Sequence, residues 1–349
     1  MYPKITDRKI RFAIIGCGQI FPLHFASYQA HHEDLELVAV CEPDPDIAQD
    51  CQARYGCKVY DDLASVLAQE DLDLVSLCTP SGLHPQQTTL AARHGVHVLT
   101  EKPMAIRWEE GLEMLQACHH AGVRLFVVMQ NRYNATLRAV KRAVNAGRFG
   151  RIHMVHSNVF WHRPQAYYDG AAWRGTKALD GGTLLNHAVH YVDLLHWLIG
   201  PVAKVHAMTG TTRDIEVEDT AVLNITWREG ALGSMAVTML THQEDIEGSM
   251  TILGEAGTVR VAGLALNQIQ QWDFANPQQE DATITDANYD ITGTGGFGHQ
   301  PYYANVIATL RGAAQPMTDG EEGLKSLEIL TAAYRSAHEG QSVSLPLAR

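Results

Sequence analysis

Ile10-Arg11-Phe12-Ala13-Ile14-Ile15-Gly16-Cys17-Gly18 is the stretch that decides the fold. An apolar run ending in Gly-x-Gly reads as a buried strand that turns tightly into a helix, and an amphipathic stretch near Phe21–His31 follows at once. In a doubly wound sheet the first glycine makes the turn and the second lets the backbone approach a pyrophosphate. The third position of that fingerprint is ordinarily Gly or Ala. Here it is Phe21, which alters how the first helix packs.

The same alternation continues outward from this turn. Strands are expected at Leu35–Cys41, Lys58–Tyr60, Leu74–Cys78, His97–Thr100 and Leu125–Met129. Amphipathic stretches near Asp46–Tyr55, Leu63–Gln69, Gln86–His94 and Trp108–Ala121 separate them. Strand and helix in turn are the mark of a parallel sheet. The rhythm changes after Asn131. A helix fits Thr136–Ala146, a strand fits Ile152–Trp161, and Arg163–Asp180 is a long connection rich in aromatics and glycine. Six further strand patterns run from Val202 to Phe274, and helices return at Tyr302–Arg311 and Leu324–His338. The expected architecture is α/β, with residues 1–130 an N-terminal Rossmann domain. Residues 131–349 form a C-terminal α+β domain with a large, mainly antiparallel sheet. The glycine-rich Gly293–Gly298 reads as a mobile loop within it.

Composition narrows the function classes. With 39 acidic against 27 basic residues, the formal charge is −12, which argues against a nucleic-acid footprint. No apolar run approaches the ~20 residues of a membrane span. Met1-Tyr2-Pro3-Lys4 leads into a strand with no signal-peptide core, so a cytoplasmic location is expected. The six cysteines include no C-x-x-C pair and read as structural thiols.

Ligands of open α/β sheets sit outside the carboxyl ends of the strands. Glu42 ends the second strand, 26 positions after Gly16, where a carboxylate accepts from the adenosine ribose hydroxyls. It would repel a 2′-phosphate, which favours NAD over NADP. Asp44 is the alternative ribose ligand. Thr79, Pro80 and His84 follow the fourth strand and are expected to line the dinucleotide. In Val98-Leu99-Thr100-Glu101-Lys102-Pro103 a lysine stands at a strand end, facing the same crevice. Further on, Gly182–Ile199 reads as one helix with a buried stripe of Leu185, Ala188, Val192, Leu195 and Ile199. Asn186, His190 and Asp193 share another face. An amide, an imidazole and a carboxylate there form either a proton-handling site or a solvated face. His187, His190 and His196 lack the H-E-x-x-H pattern, so no metal is expected.

With these residues placed, the chain resembles the Gfo/Idh/MocA oxidoreductases from end to end. The likeness is carried by Gly16-Cys17-Gly18, Thr79-Pro80 with His84, Glu101-Lys102-Pro103, Asn131-Arg132, Trp173-Arg174, and Gly181-Gly182 leading to His190-x-x-Asp193. The resemblance implies that Lys102 and His190 are the catalytic pair flanking the reacting hydroxyl. It implies that Gly16, Gly18, Gln19, Ile20, Glu42, Thr79, Pro80, His84, Glu101, Lys102, Asn131, Trp173 and Arg174 bind the cofactor. The family often has Asp four residues before the histidine; this chain has Asn186, which cannot accept a proton and is expected to position substrate.

A narrower likeness lies in Thr79–Pro85, Leu99–Trp108, Phe149–Trp161 with Arg163-Pro164-Gln165, Trp173-Arg174-Gly175, Ile215–Thr220 and Gly248–Gly254. These stretches resemble the bacterial UDP-N-acetyl-2-amino-2-deoxyglucuronate 3-dehydrogenases. That group implies NAD, a UDP-linked uronic acid substrate, a homotetramer, and in some members 2-oxoglutarate as hydride acceptor. A uronate and a diphosphate need cationic or amide partners, for which Lys102, Asn131, Arg132, Arg163, Asn186, His190, His299 and Tyr303 are the candidates. The rivals are a dehydrogenase of a free sugar or inositol and a non-enzymatic NAD-binding sensor.

Overall fold

The computed structural model describes residues 2–290 and 298–347, so Gly293–Gly298, apart from Gly298 itself, lies outside the described residues. The chain divides into two compact units. The first holds residues up to Met129 together with Gly298–Leu324, and the second holds Gln130–Phe297 with Lys325–Arg349.

In the first unit the strands are β1 (Ile10–Ile15), β2 (Leu35–Cys41), β3 (Lys58–Tyr60), β4 (Leu74–Leu77), β5 (His97–Thr100) and β6 (Leu125–Val127). They alternate with α1 (Phe21–Ala30), α2 (Pro45–Tyr55), α3 (Leu63–Gln69), α4 (His84–Arg93) and α5 (Trp108–Ala121). The sheet is parallel throughout, in the order β3-β2-β1-β4-β5-β6. This is the doubly wound order, whose switch point lies between β1 and β4. Strands β4 and β5 are buried at every position, which is why they read as unbroken apolar runs and not as alternating ones. Phe21 opens α1 and packs against Phe25 and Tyr55, with ring centroids 5.9 and 5.1 Å away. An aromatic cluster with the end of α2 thus takes the place of the third glycine.

The second unit begins with α6 (Ala135–Asn145), β7 (Ile152–Phe160), α7 (Gln165–Asp169), α8 (Thr183–Asn186) and α9 (Val189–Ile199). Then come β8 (Val202–Gly210), β9 (Thr220–Trp227), β10 (Leu232–Thr238), β11 (Glu247–Gly254), β12 (Gly257–Ala262) and β13 (Gln268–Phe274). The chain ends with α10 (His299–Leu310), α11 (Gly320–Glu339) and β14 (Val343–Ser344). The eight-stranded sheet runs β13-β12-β11-β7-β10-β9-β8-β14 and is antiparallel at every join except β7–β10. Its inner face buries Val155, Val159, Met235 and Val237, with α8 packed on β9 and β10. On the alternate positions Met154, Leu232 and Leu253 sit exposed on three adjacent strands, in direct register.

Two expectations from the sequence need correction. Residues 298–324 were expected in the second domain, but they belong to the first compact unit. There Ile5 N–H donates to Leu310 O (3.1 Å), the Arg311 guanidinium holds Asp34 (2.8 Å), and Thr318 Oγ1 donates to Val127 O (2.8 Å). These contacts join positions too far apart in the chain for local pattern to reveal. The expected single helix over Gly182–Ile199 is two. The Thr183 carbonyl accepts from both His187 and Ala188 N–H (2.9 and 3.0 Å), so the turn carries an extra residue. One residue is ~100° of rotation, so the phase of Asn186 does not carry over to His190. Nor is there a solvated polar face, since Val189 to Leu195 are buried at every position.

Candidate active site

At the β1 turn Gly16 has φ +97°, and a Cβ there would stand 2.9 Å from the Cys78 carbonyl oxygen. Both facts exclude a side chain, so the end of β1 lies tight against the end of β4. Gly18 is the opposite case, with nothing within 4 Å of where its Cβ would be. That open, exposed backbone, followed by the exposed Gln19 and the half-buried Ile20, fits an approaching pyrophosphate. Glu42 closes the turn, for its carboxylate accepts Cys17 N–H at 2.8 Å and Asp44 N–H at 3.1 Å. Asp44 caps α2, accepting from Asp46 and Ile47 N–H, so the helix start already engages the alternative ribose ligand.

Thr79 and Pro80 are half-buried at the end of β4, while His84 has no exposed surface. The His84 ring lies 2.9 Å from Pro103 O through Nδ1 and 3.0 Å from Thr79 O through Nε2. Burial pushes this imidazole below its ordinary value. His84 was expected to line the dinucleotide; it is turned inward and ties the Thr79 turn to the Lys102–Pro103 turn. Lys102 itself is half-buried, and its backbone N–H donates to Glu101 Oε2 at 3.1 Å.

Glu101 is buried among histidines. His24 Nε2 lies 3.0 Å from Glu101 Oε1, and His299 Nε2 lies 3.5 Å from the same oxygen. His24 Nδ1 faces Tyr303 Oη at 2.8 Å and Ser76 Oγ at 3.0 Å. Burial opposes ionisation of Glu101, but hydrogen bonds from the two imidazoles outweigh it and hold the carboxyl well below the usual range. Burial pushes His24 down. The arrangement that satisfies both is a neutral His24 donating from Nε2 to an ionised Glu101, with a hydroxyl donating to Nδ1. The three ligand-type atoms of His24, Glu101 and His299 lie within 4.8 Å of one another. His299 and Tyr303, expected as substrate contacts, are 3% and 0% exposed and belong to this buried network.

The second unit gathers the other candidates. Gln130 Nε2 lies 3.4 Å from His190 Nε2, next to the half-buried Asn131. Arg132 is 2% exposed and grips Asp193 with two hydrogen bonds of 2.8 and 2.6 Å, while Ser326 Oγ donates to Asp193 at 3.1 Å. The Asp193 carboxylate is thus held by Arg132 and Ser326, and the guanidinium expected to meet substrate serves an interior ion pair. Asn186 donates to Asp180, whose other oxygen accepts Gly175 N–H at 2.7 Å. Around Tyr167 the two loop arginines converge. The Arg174 guanidinium lies 4.3 Å and that of Arg163 5.6 Å from its ring centre. Arg163 also holds Asp245 at 3.0 Å, and Trp173 lies under Arg174 at 5.8 Å.

Sequence reasoning passed over His24, Ser76, Asp180 and Glu218. Glu218 accepts Leu184 N–H (2.8 Å) and Tyr334 O–H (2.7 Å), and burial pushes its carboxyl up to about 7. Its signal was Gly182, where φ is +109° and a Cβ would stand 2.2 Å from the Glu218 carboxylate.

Comparison with known proteins adds to this geometry. Residues 10–129 match a family described as an oxidoreductase family with an NAD-binding Rossmann fold, and residues 141–345 match its C-terminal alpha/beta domain. The chain is similar to the WlbA dehydrogenase of Chromobacterium violaceum, solved with NADH and UDP-GlcNAcA. The identity is 55% and the TM-score 0.95, covering 100% of this chain and 99% of that one. The WlbA dehydrogenase of Bordetella pertussis, with the same two ligands, is 53% identical at a TM-score of 0.94 over 99% and 100%. D-apiose dehydrogenase of Paraburkholderia graminis is 27% identical over 97% of this chain and 91% of its own length.

Proposed function

Because the chain belongs to the Gfo/Idh/MocA oxidoreductase family, we propose that it oxidises the 3-hydroxyl of UDP-N-acetyl-2-amino-2-deoxyglucuronate to the 3-keto sugar, in bacterial surface-polysaccharide sugar synthesis. The observation that carries this is identity of 53–55% over essentially the whole chain to two proteins solved with NADH and UDP-GlcNAcA. When bound, NAD⁺ supplies the hydride acceptor. The glycine turn and Glu42 bind it, and Lys102 and His190 handle the hydroxyl proton. In one assignment Lys102, protonated, stabilises the developing oxyanion and His190 is the base; in the other Lys102 takes the proton. Arg163 and Arg174, stacked about Tyr167, offer cationic partners to the uronate carboxylate or the diphosphate. The exposed row Met154, Leu232 and Leu253 supports a homotetramer built on the open sheet face. A cytoplasmic location fits these substrates, and 2-oxoglutarate is the candidate acceptor for recycling NADH.

The test is NADH formation on adding the UDP-linked uronate, D-apiose or inositol, each with and without 2-oxoglutarate. Turnover of the UDP-linked uronate alone is expected, with NADH failing to accumulate if 2-oxoglutarate recycles it. Turnover of the free sugars and none of the UDP-linked uronate would sink the reading in favour of a free-sugar dehydrogenase. Cofactor binding with no turnover of any of them would favour a sensor.

A further inference from the structure

We infer that His24 is a positioning residue for the reaction, acting through Glu101 to fix the turn that carries Lys102. The inference rests on the reading of Lys102 as a catalytic group.

Four elements converge on this point. His24 projects from α1, Ser76 from β4, Glu101 from the residue after β5, and Tyr303 from α10. All four side chains are buried, with His24, Ser76 and Tyr303 at 0%. Glu101 is the link, since Oε1 faces His24 Nε2 at 3.0 Å and Oε2 accepts the Lys102 backbone N–H at 3.1 Å. Neither the His24 ring nor the carboxylate can rotate without breaking a bond between buried groups. A buried polar network in which His24, Ser76, Glu101 and Tyr303 are paired in this way rigidifies what it holds. The same space filled by apolar side chains would often be as stable or more so, so the network's value lies in the geometry it fixes. A displacement of ~1 Å in a reacting group can cost about 10²-fold in rate. His299 adds a second imidazole, with its Nε2 3.5 Å from the same Glu101 oxygen.

The experiment is a double-mutant cycle on the full chain. His24→Phe is expected to lower kcat by about 10- to 100-fold while the KM for NAD changes less than about threefold. His24→Gln places an amide N–H near the Nε2 position and should recover turnover to within about threefold of the parent. In a Lys102→Met background, His24→Phe should cause no further loss, because the effect runs through Lys102. A folded, NADH-binding His24→Phe enzyme with parental kcat would overturn the inference, and so would independent, multiplicative losses in the double variant. If His24→Phe does not fold, Tyr303→Phe serves instead: a several-fold fall in kcat supports the network, and an unchanged kcat overturns it. Full turnover by Lys102→Met alone removes the underlying reading. An inactive Lys102→Met beside a fully active His24→Phe removes this inference only.

Discussion

Glu101 and Glu218 are buried carboxylates, 6% and 7% exposed, in different units, and burial meets a different answer at each. At Glu101 two imidazoles and a backbone N–H supply enough hydrogen bonds to keep the charge despite desolvation. At Glu218 one backbone N–H and one tyrosine hydroxyl do not suffice, and burial lifts the carboxyl to about 7. A third acid, Asp193, keeps company with the Arg132 guanidinium at 2.6 Å. The number and charge of the donors around an acid thus decide its state more than depth does. An ionised Glu101 next to Lys102 suits a reacting centre; Asp193 and Glu218 anchor the segments that carry His190 and Asn186.

The largest effect expected from this contrast is at Lys102. Lys102→Met leaves the backbone N–H that Glu101 accepts and removes only the ammonium. Turnover should fall by about 10²- to 10⁴-fold, with NAD binding retained in a calorimetric titration. Parental turnover would mean that the charged acid beside it serves the fold alone. Next in size is Arg132→Met, which strands the Asp193 charge in the interior. Stability should drop by about 3–5 kcal/mol in denaturant unfolding. A loss of substrate affinity with unchanged stability would instead restore Arg132 to the substrate site.

These cases also show what local pattern can and cannot carry. The alternation of β1 to β6 with α1 to α5 was legible because each element announces itself within about ten residues, by apolar runs and amphipathic stretches. The mainly antiparallel second sheet was legible for the same reason, although the two-residue β14 was too short to register. The placement of the candidate residues was legible at strand ends, where the apolar runs of β1, β2 and β5 stop just before Gly16, Glu42 and Lys102. It was misread on α9, where one extra residue at His187–Ala188 breaks the helical phase and every position from Val189 to Leu195 is buried, leaving no polar face to detect. It was missed at His24 and Glu218, because each meets its partner across 77 and 34 positions of chain.

The smallest effect, and the one that tests the contrast most directly, is at Glu218. Its carboxyl is raised in the folded protein from an ordinary 4.5 to about 7, so the native state binds an extra proton between those values. Stability contributed by this group is therefore full below about pH 4.5, declines as pH rises, and is lost above about pH 7. The loss is on the order of 3 kcal/mol at pH 8. Glu218→Gln keeps an oxygen to accept from Leu184 N–H and Tyr334 O–H but cannot ionise. The variant should match the parent at about pH 4 and exceed it at pH 8, which paired unfolding curves at the two values would measure. Equal stability at both would mean that Glu218 finds enough donors to hold its charge after all, and the distinction drawn from Glu101 would vanish. A variant less stable at both would mean that the second carboxylate oxygen, next to Gly182, makes a contact the amide cannot replace, so that the motif before His190 depends on the charge itself.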